Sequence, residues 1–151
     1  MRRAALGTPL GPVWVEARER VITASGWGEA PRRTDDPLLT EAFDQLRAYF
    51  EGHRQVFDLP LEHGRSGLSA SVLSALAAIP FGETRSYGEL SRALGAPAQA
   101  IGQACGANPL PILIPCHRVL GAKGLGGFSA PGGVEAKVWL LRHEGAAGLL
   151  I

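Results

Sequence analysis

Cys116 and His117 stand side by side in Pro115-Cys116-His117-Arg118-Val119, directly behind the apolar run Pro111-Ile112-Leu113-Ile114. A thiol becomes a strong nucleophile when a neighbour takes its proton, and imidazole is the usual acceptor. The pair therefore points to nucleophilic chemistry at sulfur. Its plain alternative is a small buried hydrophobe beside a packed ring. The other cysteine is Cys105, and the other histidines are His53, His63 and His143. Their spacing fits no metal-ligand pattern, so no metal site is expected. Both cysteines read as free thiols.

Positioning such a pair needs a scaffold. With 151 residues and 46% hydrophobic content, the chain suits one compact unit or two small lobes. The expected fold is α+β: a small N-terminal lobe of strands plus a helix (1–65), then a mostly helical C-terminal lobe (66–151). Residues 4–28 read as short strands, clearest at 13–17 and 20–24. Residues 29–37 read as a proline-bounded loop. A helix is predicted over Leu38–Phe50, with Leu39, Phe43, Leu46 and Phe50 inward and Gly52 as its stop. Val56 to Leu61 could add one more strand.

In the second lobe, Leu68, Val72, Leu73, Leu76 and Ile79 form one amphipathic face. Residues 86–94 and 98–107 read as two short helices joined at Gly95-Ala96, with Pro97 where a helix prefers to begin. Such a pair resembles a helix-turn-helix. The glycine-rich stretch 124–133 lacks the Gly-Lys-Ser/Thr ending of a phosphate loop. Val134–His143 is a closing helix, with Val134, Val138 and Leu141 on its inner face.

Net charge is +1. Residues 85–123 carry Arg85, Arg92, Arg118 and Lys123 against Glu89, a basic stretch compatible with phosphate contact. No run approaches the ~18 apolar residues that span a bilayer, and the N-terminus lacks the apolar stretch of a signal peptide. A cytoplasmic protein without a membrane partner is expected.

Four ordered segments then carry a resemblance: Gly82-Glu83-Thr84-Arg85-Ser86-Tyr87-Gly88-Glu89-Leu90, Gly106-Ala107-Asn108-Pro109-Leu110-Pro111, Pro115-Cys116-His117-Arg118-Val119, and Lys137-Val138-Trp139-Leu140-Leu141-Arg142-His143-Glu144-Gly145. Residues 66–146 are similar to the active-site domain of the O6-alkylguanine-DNA alkyltransferases, also called methylated-DNA–protein-cysteine methyltransferases. Thr8 to Pro12 extends the likeness more loosely to the family's opening strands.

The resemblance implies direct reversal of DNA damage. Cys116 accepts an alkyl group from O6 of guanine, once per molecule, without a cofactor. A thioether offers no good leaving group, so the sulfur is spent. His117 is implied as the base, in the family through a water, and Glu144 as the group that orients it. Asn108 braces the active-site turn. Tyr87 meets the rotated phosphate and helps protonate the departing guanine. Val119, Phe128 and Ser129 belong to the base pocket, and Cys105 borders it. The target base is flipped out of the duplex, with DNA contact from the minor groove through Arg85, Tyr87, Arg92, Ala98 and Gln99. The protein is expected to act as a monomer, with its acceptor sulfur ionised beside the everted base.

Bland alternatives stand beside several of these roles. Glu144 could be an exposed helix-end carboxylate, although a negative charge is disfavoured at a helix C-terminus. Tyr87 could be a half-buried helix-start aromatic and Cys105 plain packing; Lys137 matches a family lysine near the active site, with a solvated helix-face lysine as its alternative. Arg118 is expected to hold loops by charge-assisted bonds. The chain also departs from the family pattern. Gln99 stands where the family places an arginine that fills the vacated base stack, and it lacks that side chain's charge and stacking plane. The helix-turn-helix is two residues shorter than in many relatives. Leu68 to Leu73 and the Ala130-Pro131 insertion also differ. Three rival functions remain: a non-catalytic alkylated-DNA-binding protein of the same fold, a redox-sensing helix-turn-helix regulator, and a cysteine hydrolase.

Overall fold

A computed structural model describes residues 1–121 and 133–146. The architecture is α+β, and the chain separates into two compact units, 1–64 and 65–151.

The first unit is an antiparallel three-stranded sheet covered by one helix. β1 (Arg2–Thr8), β2 (Gly11–Arg18) and β3 (Val21–Trp27) pair in that order, so the strand region begins two residues before the sequence reading put it. Alternation along the strands buries Leu6, Val13, Val15 and Ile22 on one face. The opposite face holds Trp14, which lies so close over Gly26 that a Cβ there would sit 2.4 Å from its ring.

α1 (Pro37–Phe50) starts on Asp36, whose carboxylate accepts from Leu38 N at 2.8 Å and Leu39 N at 3.1 Å. Leu39, Phe43 and Leu46 are buried as expected. Tyr49 is buried as well, and Phe50 is only half-buried. The segment 56–61 forms no strand. Leu61 alone makes a parallel bridge to Ile22, and the stretch is pinned by Gln45, whose amide donates to Asp58 O and accepts from Asp58 N.

The second unit carries α2 (Gly67–Ala77), β4 (Arg85–Ser86), α3 (Tyr87–Leu94), α4 (Ala98–Gly106), a single 3₁₀ turn (Cys116–Arg118), β5 (Val119–Leu120) and α5 (Val134–His143). α3 opens on a reciprocal cap: Glu89 N donates to Ser86 Oγ at 3.0 Å, and Ser86 N donates to Glu89 Oε1 at 3.1 Å. It closes on Gly95 in the left-handed region, φ 64°. Pro97 takes the N-cap of α4, one residue before the helix proper. α4 packs on α2 and α3, burying Ile101 and Cys105.

The expected inner face of α2 holds at Val72, Leu73, Leu76 and, just past the helix, Ile79, while Leu68 is exposed at its start. The expected inner face of α5 is rotated. On α5, Val134 is exposed and Ala136, Lys137, Leu140 and Leu141 face inward. Among the described residues, no helix is long and apolar enough to cross a membrane.

Candidate active site

The approach to the thiol is a braced turn. Asn108, just past α4, donates from Nδ2 to Ile114 O at 2.9 Å and accepts at Oδ1 from Leu110 N at 2.9 Å. One amide thus clasps both ends of the loop, and Ile114 N closes it on Leu110 O at 2.7 Å. Within the clasp, Ile112 adopts φ 72°. That region costs a β-branched residue of order 1–3 kcal/mol and persists only when the surroundings impose it. The 3₁₀ turn follows and buries Cys116, His117 and Arg118 together.

Behind the turn, Glu144 caps α5. It is not an exposed helix-end carboxylate: its side chain is wholly buried, with Oε2 2.8 Å from His117 Nε2. Arg118 Nε donates to Glu144 Oε1 at 2.8 Å, and its Nη2 donates to Oε2 at 3.0 Å. These bonds hold the Glu144 carboxyl down at about 2 against the raising effect of burial. It is therefore ionised and can only accept, so His117 carries its proton on Nε2. Burial pushes the His117 ring below its ordinary value, outweighing the carboxylate.

Burial also pushes the Cys116 thiol up, opposed by hydrogen bonding from Asn108 and by the charge of Lys137. Without a bound base, burial therefore favours the neutral thiol. Lys137 is no solvated helix-face residue. It is fully buried and donates from Nζ to Val119 O at 2.6 Å, and burial lowers its pKa while the two thiols act to raise it.

Cys105 is free and buried on α4, its thiol pushed up to about 12 by burial and by Cys116. Tyr87, the first residue of α3, is half-buried and feels both thiols. Burial raises its phenol, so it keeps its proton. The parallel pairs Arg85↔Val119 and Ser86↔Leu120 stitch the strand before Tyr87 to the strand after Cys116. The structure therefore gathers Cys116, His117, Glu144, Asn108, Tyr87 and Cys105 around one turn.

Val119 is wholly buried directly after the 3₁₀ turn, and its carbonyl accepts from Lys137. Ala98 and Gln99 are exposed on the first turn of α4, and Arg92 is exposed on α3. Arg85 pairs with Glu83 at 3.1 Å and, with Ala78, Glu89 and Ala93, lines a groove of about 260 Å³ between α2 and α3. Phe128, Ser129 and Ala130-Pro131 lie outside the described residues. Among those described, no three His, Cys, Asp or Glu side chains come together to hold a metal.

Sequence reasoning missed the fork of Arg118 on Glu144 and, although the resemblance put Lys137 near the active site, the place of Lys137 on the buried face of α5. The signal for the second was present. Ala136, Lys137, Leu140, Leu141 and Glu144 recur at helical spacing, and only the charge of Lys137 argued against placing it inside.

Comparison with known proteins bears on the whole chain. Residues 68–146 match the 6-O-methylguanine DNA methyltransferase DNA binding domain, and residues 1–63 match the ribonuclease-like domain of the same enzymes. The methylated-DNA–protein-cysteine methyltransferase of Shigella flexneri is 38% identical over 161 residues, covering 93% of each chain. That of Mycobacterium tuberculosis H37Rv is 41% identical over 149 residues, covering 92% of this chain and 89% of the relative. The crystal structure of M. tuberculosis OGT in complex with DNA superposes with a TM-score of 0.83 at 41% identity, over 95% of this chain and 92% of that one. With one family spanning both units and relatives of matching length, the chain belongs to the methylated-DNA–protein-cysteine methyltransferases.

Proposed function

We propose that this protein repairs DNA by drawing the alkyl group of O6-alkylguanine onto Cys116, once per molecule. The observation that carries this reading is the buried Cys116–His117–Glu144 set on one braced turn, in a chain of this family. The step is an in-line displacement at saturated carbon. The Sγ–C bond forms as the C–O6 bond breaks, the thiol proton leaves by way of His117, and guanine departs with a proton. Because Nε2 donates to Glu144, the exchange with the thiol uses Nδ1. Tyr87, a phenol that keeps its proton, supplies hydrogen bonding to the departing base. The thioether left behind resists displacement, so turnover stops.

The base must leave the helical stack to reach a buried sulfur. Exposed Ala98, Gln99 and Arg92 form the DNA-facing side, approaching from the minor groove. The protein works as a cytoplasmic monomer. The non-catalytic alkylated-DNA binder is not favoured, since the sulfur and its base are both in place.

Mass spectrometry after incubation with an O6-methylguanine oligonucleotide tests the reading. One methyl mass should appear on the Cys116 peptide, and none in Cys116→Ser. An unmodified Cys116 peptide despite tight binding overturns it.

A further inference from the structure

Glu144 serves two neighbours at once. Oε1 accepts from Arg118 Nε, while Oε2 accepts from both Arg118 Nη2 and His117 Nε2. The third guanidinium nitrogen, Nη1, donates to Ile79 O at 2.7 Å, and the guanidinium carbon lies 5.8 Å from the Phe81 ring centroid. Every nitrogen of the group is therefore engaged, and its plane is fixed by the chain just beyond α2, by the 3₁₀ turn and by the cap of α5.

The charge balance follows from this geometry. A carboxylate that faces an imidazole alone favours the imidazolium. Here a permanent cation already neutralises it. A protonated His117 would set two cations on one carboxylate, where the side chains of His117, Arg118 and Glu144 are 1%, 8% and 0% exposed. A buried charge without its own counter-charge is costly. The charged groups acting on His117 are Glu144 at the end of α5, Lys137 within α5 and Arg118 of its own turn. Only Glu144 favours the imidazolium.

We propose that Arg118 is a positioning residue of the transfer reaction: forked onto both oxygens of Glu144, it occupies the carboxylate's charge, so that His117 rests neutral with its proton on Nε2 and Nδ1 toward the thiol. This rests on the alkyl-transfer reading and adds the control of its base. At rest the site holds a neutral thiol and a neutral ring. The imidazolium exists only while the Sγ–C bond forms, and its proton passes on to the guanine as the C–O6 bond breaks. Thiol and O6-alkylguanine give thioether and guanine, with no other reactant.

The test is a pH titration of histidine ring signals by NMR in the full chain, with His117 assigned by comparison with His117→Asn. In the unaltered protein, His117 should titrate below its ordinary 6.5 and carry the Nε2–H tautomer. Arg118→Gln should raise the midpoint by about one pH unit, a tenfold gain in proton affinity. The acid limb of the methyl-transfer rate should move with it. Arg118→Lys, which keeps the charge and loses the fork, should shift less. A midpoint at or above 6.5 in the unaltered chain overturns the proposal. So does an unmoved midpoint in folded Arg118→Gln with a rate loss equal at every pH. Should Arg118→Gln not fold, the unaltered chain and Arg118→Lys decide the matter. The titration uses no alkyl donor, so its failure is separate from a failure of Cys116 to accept methyl.

Discussion

A thiol that burial pushes toward its neutral form can accept carbon if its proton has a destination at the moment of displacement. Around Cys116 that destination is assembled from side chains of opposite sequence neighbourhoods. His117 is adjacent, whereas Glu144 arrives from the end of α5. The adjacency was legible in the sequence, and so was the pairing with Glu144, because the family likeness supplied it. The second arm on Glu144 was not, since nothing in the order of residues says that Arg118 spends its fork there rather than on a loop carbonyl. On the side proposed to face DNA, Gln99 is an exposed amide on the first turn of α4, at the position that the resemblance assigns to a stacking cation. Gln99→Arg is expected to raise the methyl-transfer rate on duplex more than on single-stranded substrate, because only the duplex has a gap to fill. Rates measured on the two substrates check this. An equal or negative effect on both removes position 99 from the flipping step.

Elements succeed here through their ends. α3 is short, and its position rests on the reciprocal bonds of Ser86 and Glu89 at one end and on Gly95 at the other. Ser86→Ala is expected to destabilise the protein by about 1 kcal/mol, read as a lower urea midpoint at unchanged slope. Because Ser86 also sits in β4, the methyl-transfer rate should fall as Tyr87 loses its anchor. Helix existence was plain from periodicity, yet the inner face of α5 was misjudged because a charge lay inside. Lys137 is the instructive case: it is buried on the same helix face as Ala136, Leu140 and Leu141, and its ammonium donates to a backbone carbonyl, an arrangement that composition cannot announce. β4 and β5, two residues each, carry no periodic signal at all. The left-handed Ile112 is likewise invisible in advance, since sequence preference argues against it.

On the scale of the whole molecule, the buried titrating groups set a pH window. The unfolded chain takes up a proton on His117 below 6.5, which the folded site resists, so stability erodes as pH falls through that value. Glu144, held at about 2 against an ordinary 4.5, contributes on the order of 3 kcal/mol above 4.5, and this is lost as pH falls from 4.5 toward 2. On the alkaline side, Cys105 at about 12 against an ordinary 9 contributes stability that is lost as pH rises between those values. Urea unfolding across pH should therefore show a plateau from about 6.5 to 9 with a fall on either side. In Glu144→Gln the acid fall below 4.5 should be shallower. An acid limb of unchanged depth in that variant would contradict the assignment.

The two-pair parallel stitch of β4 to β5 has one more consequence. It fastens both ends of the segment from Tyr87 to Arg118, so that span is a closed loop pinned at its neck. Loop-closure cost grows only slowly with length. Residues gained or dropped at the far side, around the turn at Gly95 between α3 and α4, then leave this neck in place. The helix pair inside that loop is itself tied to the site, since Tyr87 opens α3 and Asn108 follows α4 onto the turn, so a change of length is absorbed between those two anchors.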